Sequence, residues 1–193
     1  DGDSFYQSPT DMGVNRVGFA ITDDEATREA AKQEIIRRYF RYRCEYVMGL
    51  TDRETVQRVE LLIKNLNLEM EHRNVVEPAR RAAANTQKRD KGNEGIYCGA
   101  AIAFKNGTIV TGSNSPQLHA ASSLILHAVK HSAGIPEKIK LLPPNIIESV
   151  RNLKTEVLNE KNLSLDLLET LIALSISATS NPAAQLAMEA LKD

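Results

Sequence analysis

The sequence predicts an α/β (α+β) fold: a small sheet built on a β-hairpin–helix unit and flanked by several helices. Three observations predict it. Residues 96–104 form a nearly unbroken apolar run, Asn106-Gly107 marks a tight turn, and the β-branched stretch 108–112 returns from it. Residues 117–133 then carry apolar side chains at helical spacing, at Leu118, Ala121, Leu124, Ile125, Ala128 and Val129. Upstream, two Thr-x-x-Glu capping boxes, at 22–25 and 51–54, announce a pair of helices.

Taken in order, residues 14–21 alternate, with Val17, Phe19 and Ile21 on one face, and predict a strand. Helix 23–48 carries one stripe through Ala31, Ile35, Tyr39, Tyr42 and Tyr46 and another through Ile36, Phe40, Cys44 and Val47, a wide face that predicts substantial burial. Gly49 ends it, Thr51 caps the next helix (52–67), and the two form a long N-terminal αα-hairpin. Pro78 sits in the first turn of a third helix that fades near Asn85. Residues 87–95, charged and without an apolar side chain, form the best internal boundary.

The run 96–104 suits a strand covered on both faces, and Asn-Gly favours a primed hairpin turn. Gly134 suits the left-handed residue past the end of helix 117–133, with Ile135 as its apolar contact. Residues 139–142 predict a short third strand beside the hairpin. Pro143-Pro144 opens a helix to about 158, Ser164 caps an apolar helix to about 178, and Asn181-Pro182 opens the last, to about 191. The chain divides into a strand plus helical region (1–90), the β-β-α core unit (91–142) and C-terminal helices packing on it (143–193).

Composition excludes several classes. A chain of 193 residues buries a real core, and a net charge of −1 argues against a nucleic-acid binder. Cys44 and Cys98 stand far apart in apolar contexts with no Cys-x-x-Cys, which points to a reduced, cytoplasmic protein without zinc. No apolar run approaches the roughly 20 residues that span a bilayer, and no signal peptide is visible. The chain begins at Asp1 rather than methionine, so a fragment of a longer protein is expected.

Two polar clusters are candidate ligand contacts. Ser8, Thr10, Asp11 and Asn15 precede the first strand, where the ordinary alternative is an Asx or Ser/Thr turn. Thr111, Gly112, Ser113, Asn114 and Ser115 lie between a strand end and a helix start, where loops of layered folds hold ligands and a helix N-terminus favours anions; here the alternative is helix capping. His127 and His131 share an i, i+4 spacing without an acidic companion, so no metal is assigned. Arg37, Arg38, Arg41 and Arg43 interleave with Tyr39, Phe40 and Tyr42, which reads first as a solvated face with Glu34 and Glu45 as ion-pair partners. No carboxylate pair or nucleophile motif stands out, so no catalytic residue and no cofactor are called.

The segment 8–38, with SPTDMGVN, VGF and KQEIIRRY, together with IVTG at 109–112 and the terminal SNPAAQLAMEAL, resembles the C-terminal part of the bacterial uncharacterised protein family 0371, domain of unknown function 1846. The resemblance implies a cytoplasmic, multidomain, nucleotide-linked protein whose other members are more than twice as long, with a glycine-rich N-terminal half absent here. It implies no reaction. The unit 96–134 is also weakly similar to the cytidine-deaminase-like layer. A gapless match puts Ile125 at the zinc cysteine and His127 at the glutamate, so that chemistry is not expected.

Two functions follow as expectations. One is a share in a phosphate- or nucleotide-related small-molecule site, formed with the missing N-terminal half. The other is a non-catalytic scaffold for domain packing or self-association as a homo-oligomer. Neither nucleic acid nor a membrane is an expected partner.

Overall fold

The computed structural model describes residues 23–192. The predicted strand 14–21, Thr22 and the candidates Ser8, Thr10, Asp11 and Asn15 lie outside the described residues. The fold mixes helix and strand, as α+β requires, with seven α-helices and a two-stranded sheet among the described residues. It forms two compact units that meet in sequence at Arg73 and Asn74.

The first unit holds α1 (Asp24–Val47) and α2 (Arg53–Asn65), packed as the predicted hairpin. Asp23 caps α1 by accepting from Ala26 N at 2.9 Å. The helix closes as expected around Gly49, φ +72°, with Leu50 N donating to Glu45 O at 2.8 Å. The cap of α2 is Asp52 rather than Thr51: its carboxylate accepts from Thr55 N at 2.6 Å. An ionised oxygen is the stronger acceptor for an orphan N–H, and that bond holds the Asp52 carboxyl below its ordinary pKa. Arg43 reaches Glu60 across the hairpin at 3.4 Å. Ile36, Val56 and Val59 are buried, but the wide face of α1 is buried less than predicted, with Phe40, Tyr46 and Val47 exposed. Both cysteines are exposed and free, against the apolar contexts expected for them.

The second unit is layered around α4 (Ala120–Ser132). On one side lies the hairpin of β1 (Gly99–Ala103) and β2 (Ile109–Ser113), antiparallel, in the register Gly99↔Ser113 to Ala103↔Ile109. Beyond the hairpin packs α3 (Val76–Lys88). On the other side of α4 lie α6 (Leu167–Ala178) and α7 (Pro182–Glu189). Here sits the main core, with Leu126, Val129, Leu165, Ala173, Leu174, Ala184 and Ala187. Alternation puts Gly99, Ala101 and Ala103 of β1 on one hairpin face and Ala100 and Ile102 on the other. The small residues let the helix backbones come close. A Cβ on Gly99 would lie 1.9 Å from Ala79 O of α3, and one on Gly112 2.2 Å from Leu124 N of α4.

Several expectations are corrected. The hairpin turn is not primed: only Gly107 has positive φ, Gly107 N donates to Phe104 O at 2.9 Å, and Phe104 N donates to Thr108 O. This is the three-residue loop with a left-handed glycine, the next commonest hairpin connection. Helix α3 runs to Lys88, three residues past the predicted fade, and Asp90, φ +48°, closes it while Lys91 N donates to Thr86 O.

Residues 139–142 form no strand. Leu141 and Leu142 are buried in the core as a loop, and the Leu141 carbonyl is satisfied by the Ser177 hydroxyl instead of a ladder. Pro143-Pro144 opens α5 (Pro144–Asn152), which continues as a π-helical turn, Leu153–Val157. Asp166, not Ser164, caps α6 in a reciprocal box with Glu169. The final helix begins as predicted, Asn181 accepting from Ala183 N and Ala184 N. The end of α4 is also as predicted: Gly134 has φ +64° and Ile135 N donates to Lys130 O at 2.8 Å.

Candidate functional site

The segment 111–115 divides into two halves with different work. Asn114 is buried, and its amide completes the ladder beyond the strands: Oδ1 accepts from Cys98 N at 2.8 Å and Nδ2 donates to Ile96 O at 2.9 Å. Ser115 Oγ accepts from Gln117 N and Leu118 N, making a tight Ser/Thr turn. These two side chains are committed to backbone. Helix α4 begins only at Ala120, so neither residue caps it, and its N-cap residue, His119, makes no side-chain cap bond.

Thr111, Gly112 and Ser113 instead line a cleft of about 230 Å3 between β2 and the end of α3. Asn85, Thr86, Arg89 and Lys91 face them, and His127 reaches in from α4. His127 Nδ1–H donates to Thr111 O at 2.9 Å, which turns its Nε2 towards Glu137 Oε2, 4.0 Å away. Among the described residues no acidic side chain lines the cleft. Thr86 Oγ1 is occupied by Ala82 O. Arg89 and Lys91 make no ion pair among the described residues, unlike Arg37, Arg41, Arg58 and Arg81, each of which holds a carboxylate on its own helix. The arrangement is two free cations, two hydroxyls and an imidazole around one opening, which suits an oxyanion.

The chain beyond Lys91 and the chain beyond Ser113 are tied to a buried cation. Lys154 Nζ, in the π-helical turn, donates to Ser164 O at 3.1 Å and Glu169 Oε2 at 2.9 Å, with Glu160 Oε2 at 3.2 Å. Burial alone would lower the Lys154 pKa, but the Glu169 and Glu160 carboxylates outweigh it and raise it above the ordinary value. Ser164 Oγ in turn donates to Ser115 O at 3.1 Å and accepts from Asn93 Nδ2 at 3.0 Å. The loops at 89–98 and 114–118 are thus tied to one point.

The other candidates resolve simply. His131 packs against Phe104 with the rings tilted by 46° and their centroids 5.0 Å apart, while His127 binds Thr111. Among the described residues no group of three or more His, Cys, Asp or Glu side chains is placed to hold a metal. The α1 arginines pair as read, Arg37 and Arg38 with Glu34 and Arg41 with Glu45. No described helix is long and apolar enough to cross a membrane. Sequence reasoning missed Arg89 and Lys91, which it placed in a boundary segment. Their signal was three cations, Lys88, Arg89 and Lys91, at the start of the segment that leads into a hairpin whose second strand ends in Thr-Gly-Ser.

Comparison with known proteins agrees with this chain's sequence character over nearly all its length. Residues 1–67 match "Domain of unknown function DUF1846, N-terminal", and residues 71–193 match "Domain of unknown function DUF1846, C-terminal". The change from one to the other falls close to the break between the two compact units. A UPF0371 protein of Clostridium botulinum (strain Alaska E43 / Type E3) is 48% identical over 189 residues, 98% of this chain and 38% of its own length. Another, from the strain ATCC 19397 / Type A, is 49% identical over 96% of this chain and 37% of its own. One from Clostridium tetani is 47% identical over 98% and 38%. The chain therefore spans little more than a third of the relatives it matches. Its two domain matches and this level of identity make it a member of the bacterial DUF1846 (UPF0371) family, of which it represents the C-terminal part.

Proposed function

We propose that this region supplies a phosphate-binding cleft to a larger cytoplasmic protein that handles a phosphorylated small molecule or nucleotide. Arg89 and Lys91 neutralise the oxyanion, while the hydroxyls of Thr111 and Ser113 orient it. The observation that carries the reading is a pair of cations, without an ion pair among the described residues, over a cleft that no described acidic residue lines. Binding of inorganic phosphate and of ADP to the full-length protein, measured by calorimetry at fixed ionic strength, tests it. Arg89→Ala with Lys91→Ala is expected to weaken phosphate at least about tenfold, the loss of roughly one charge-assisted contact, with melting nearly unchanged. Ser113→Ala weakens it less. Asn114→Ala, by contrast, costs about 1–3 kcal/mol of stability, because it removes two hydrogen bonds, to Cys98 N–H and to the Ile96 carbonyl, each contributing about 0.5–1.5 kcal/mol. Equal phosphate affinity in the double variant and the parent protein sinks the reading.

A second reading rests on the first unit. Val47 is 83% exposed and Leu50 71%, and Met48 between them and Leu61 and Leu66 further along the same hairpin are also exposed. Exposed apolar residues in such number mark a packing surface. Residues 1–67 match an N-terminal domain, and the relatives are much longer than this chain. The α1–α2 hairpin is thus the closing element of that domain, its apolar face covered by the preceding part of the same polypeptide. In the full-length protein, Val47→Asp with Leu50→Asp is expected to speed limited proteolysis several-fold with the eluting mass unchanged. A halved mass would instead assign this face to self-association. Unchanged proteolysis and mass would remove both roles.

A further inference from the structure

A second cavity, of about 270 Å3, opens on the side of α4 away from the phosphate cleft, towards α5 and the loop 139–142. Among the described residues the two openings share only His127. Its wall is hydrocarbon, from Leu126, Leu141, Leu142 and Ile147, and its polar lining includes Lys130 and Lys140. Among the described residues no acidic side chain lines it.

Lys130 is buried, which is costly for an ammonium that lacks a close anion. Of its three donors, one reaches Glu137 O at 2.8 Å, and the Glu137 carboxylate stands off at 3.5 Å. That same carboxylate oxygen is 4.0 Å from His127 Nε2, and its side chain is 69% exposed. Glu137 is therefore a loose, solvent-facing partner for two groups at the cavity mouth. Lys140 has no ion pair among the described residues; its backbone carbonyl is held by Asn181 Nδ2 at 3.1 Å.

The geometry points to a binding site for a small organic carboxylate with an apolar body. The hydrocarbon part fills the Leu126, Leu141, Leu142 and Ile147 wall, and the carboxylate replaces that of Glu137 at Lys130, with Lys140 at the rim. The size fits a small molecule, since cavities for drug-sized ligands run from about 300 to 1,000 Å3. A phosphate monoester fits less well, because it carries about −1.5 to −2 charges at neutral pH against the single charge of the one buried lysine.

The test is calorimetry and thermal melting of the full-length protein with sodium hexanoate at fixed ionic strength, beside acetate (charge only), hexan-1-ol (apolar body only) and hexyl phosphate. Hexanoate is expected to bind saturably and to raise Tm with concentration, at least about tenfold tighter than acetate or hexanol. Glu137→Gln, which removes the resident competitor, tightens hexanoate, and Lys140→Gln weakens it by about threefold. Lys130→Gln abolishes binding, and the two exposed variants carry the test if that protein folds poorly. Arg89→Ala leaves hexanoate affinity unchanged, which keeps this site separate from the phosphate cleft. Hexanoate binding no tighter than acetate, tighter binding of hexyl phosphate, loss on Arg89→Ala, or indifference to both Glu137→Gln and Lys140→Gln would each overturn the assignment.

Discussion

Gly112→Ala is expected to destabilise the second unit by about 3 kcal/mol, at the upper end for overpacking a core by one methyl. The added Cβ would lie 2.2 Å from Leu124 N, 2.5 Å from Leu124 Cα and 2.7 Å from Ala120 O. All three are backbone atoms of α4, so no side-chain rotation relieves the clash and the helix itself must move off the hairpin. Gly99→Ala meets α3 in the same way, 1.9 Å from Ala79 O and 2.7 Å from Ala83 N, and is expected to cost as much. For a protein of this size each kcal/mol lowers Tm by roughly 2–4 °C, so melting in either variant should fall by about 6–12 °C. Ile102→Ala is the control. Ile102 shares the Gly112 face of the sheet but is 38% exposed, so its truncation should cost clearly less. Gly112→Ala should also lower phosphate affinity, because Thr111 and Ser113 flank the displaced residue. Melting within about 1 °C of the parent protein for both glycine variants would show that the helices do not sit this close to the sheet.

Lys154→Met is expected to cost about 2–3 kcal/mol. Truncating one partner of a fully buried ion pair costs about 3–5 kcal/mol, and the discount here reflects Glu160, whose side chain is 43% exposed. The methionine fills the space but leaves the Ser164 carbonyl and Glu169 without their donor. Adding Glu169→Gln should recover part of the loss. Its amide oxygen still accepts from Asp166 N, the bond that closes the α6 capping box, while the uncompensated charge is gone. The pH dependence follows from the raised pKa of Lys154. A lysine that holds its proton more tightly when folded contributes its full stabilisation below its unfolded pKa, about 10.5. The contribution fades as pH rises through the higher folded value. Urea midpoints of the parent protein and Lys154→Met should therefore differ by a constant amount from neutral pH to about 10 and converge above it. A gap that closes at neutral pH instead would mean that Lys154 is not the group responsible.

Both predictions bear on the candidate site through its scaffold. The glycine contacts set how far β2 stands from α4, hence where Thr111 and Ser113 meet His127. The Lys154 node sets where the Ser115 turn and the Asn93 loop come to rest. A variant that loses phosphate binding through either route should lose stability as well, whereas Arg89→Ala with Lys91→Ala should lose binding alone. That separation distinguishes residues that touch the anion from residues that hold the cleft open.

By itself the sequence determined whatever depends on neighbours in the chain. The hairpin and following helix, the helix ends at Gly49 and Gly134, the Asn181 cap and the Glu34 and Glu45 ion pairs are each set within a few residues, by local dihedral preference and helical spacing. Cap identity was the least secure of these, because Asp52 beside Thr51 and Asp166 two residues after Ser164 cap their helices in place of the hydroxyls. The tertiary structure alone decided which polar side chains are used up and which are free. Asn114 and Ser115 looked like ligand donors until folding brought Cys98 and Ile96 to the first and a tight turn to the second. The run 139–142 looked like a strand, yet Ser177 and Asn181, nearly 40 residues on, took its carbonyls and left it a buried loop. Arg89, Lys91 and His127 are brought to Thr111 and Ser113 only by the layering of α3, the hairpin and α4. That convergence is set by packing between segments far apart in sequence, which no local pattern encodes.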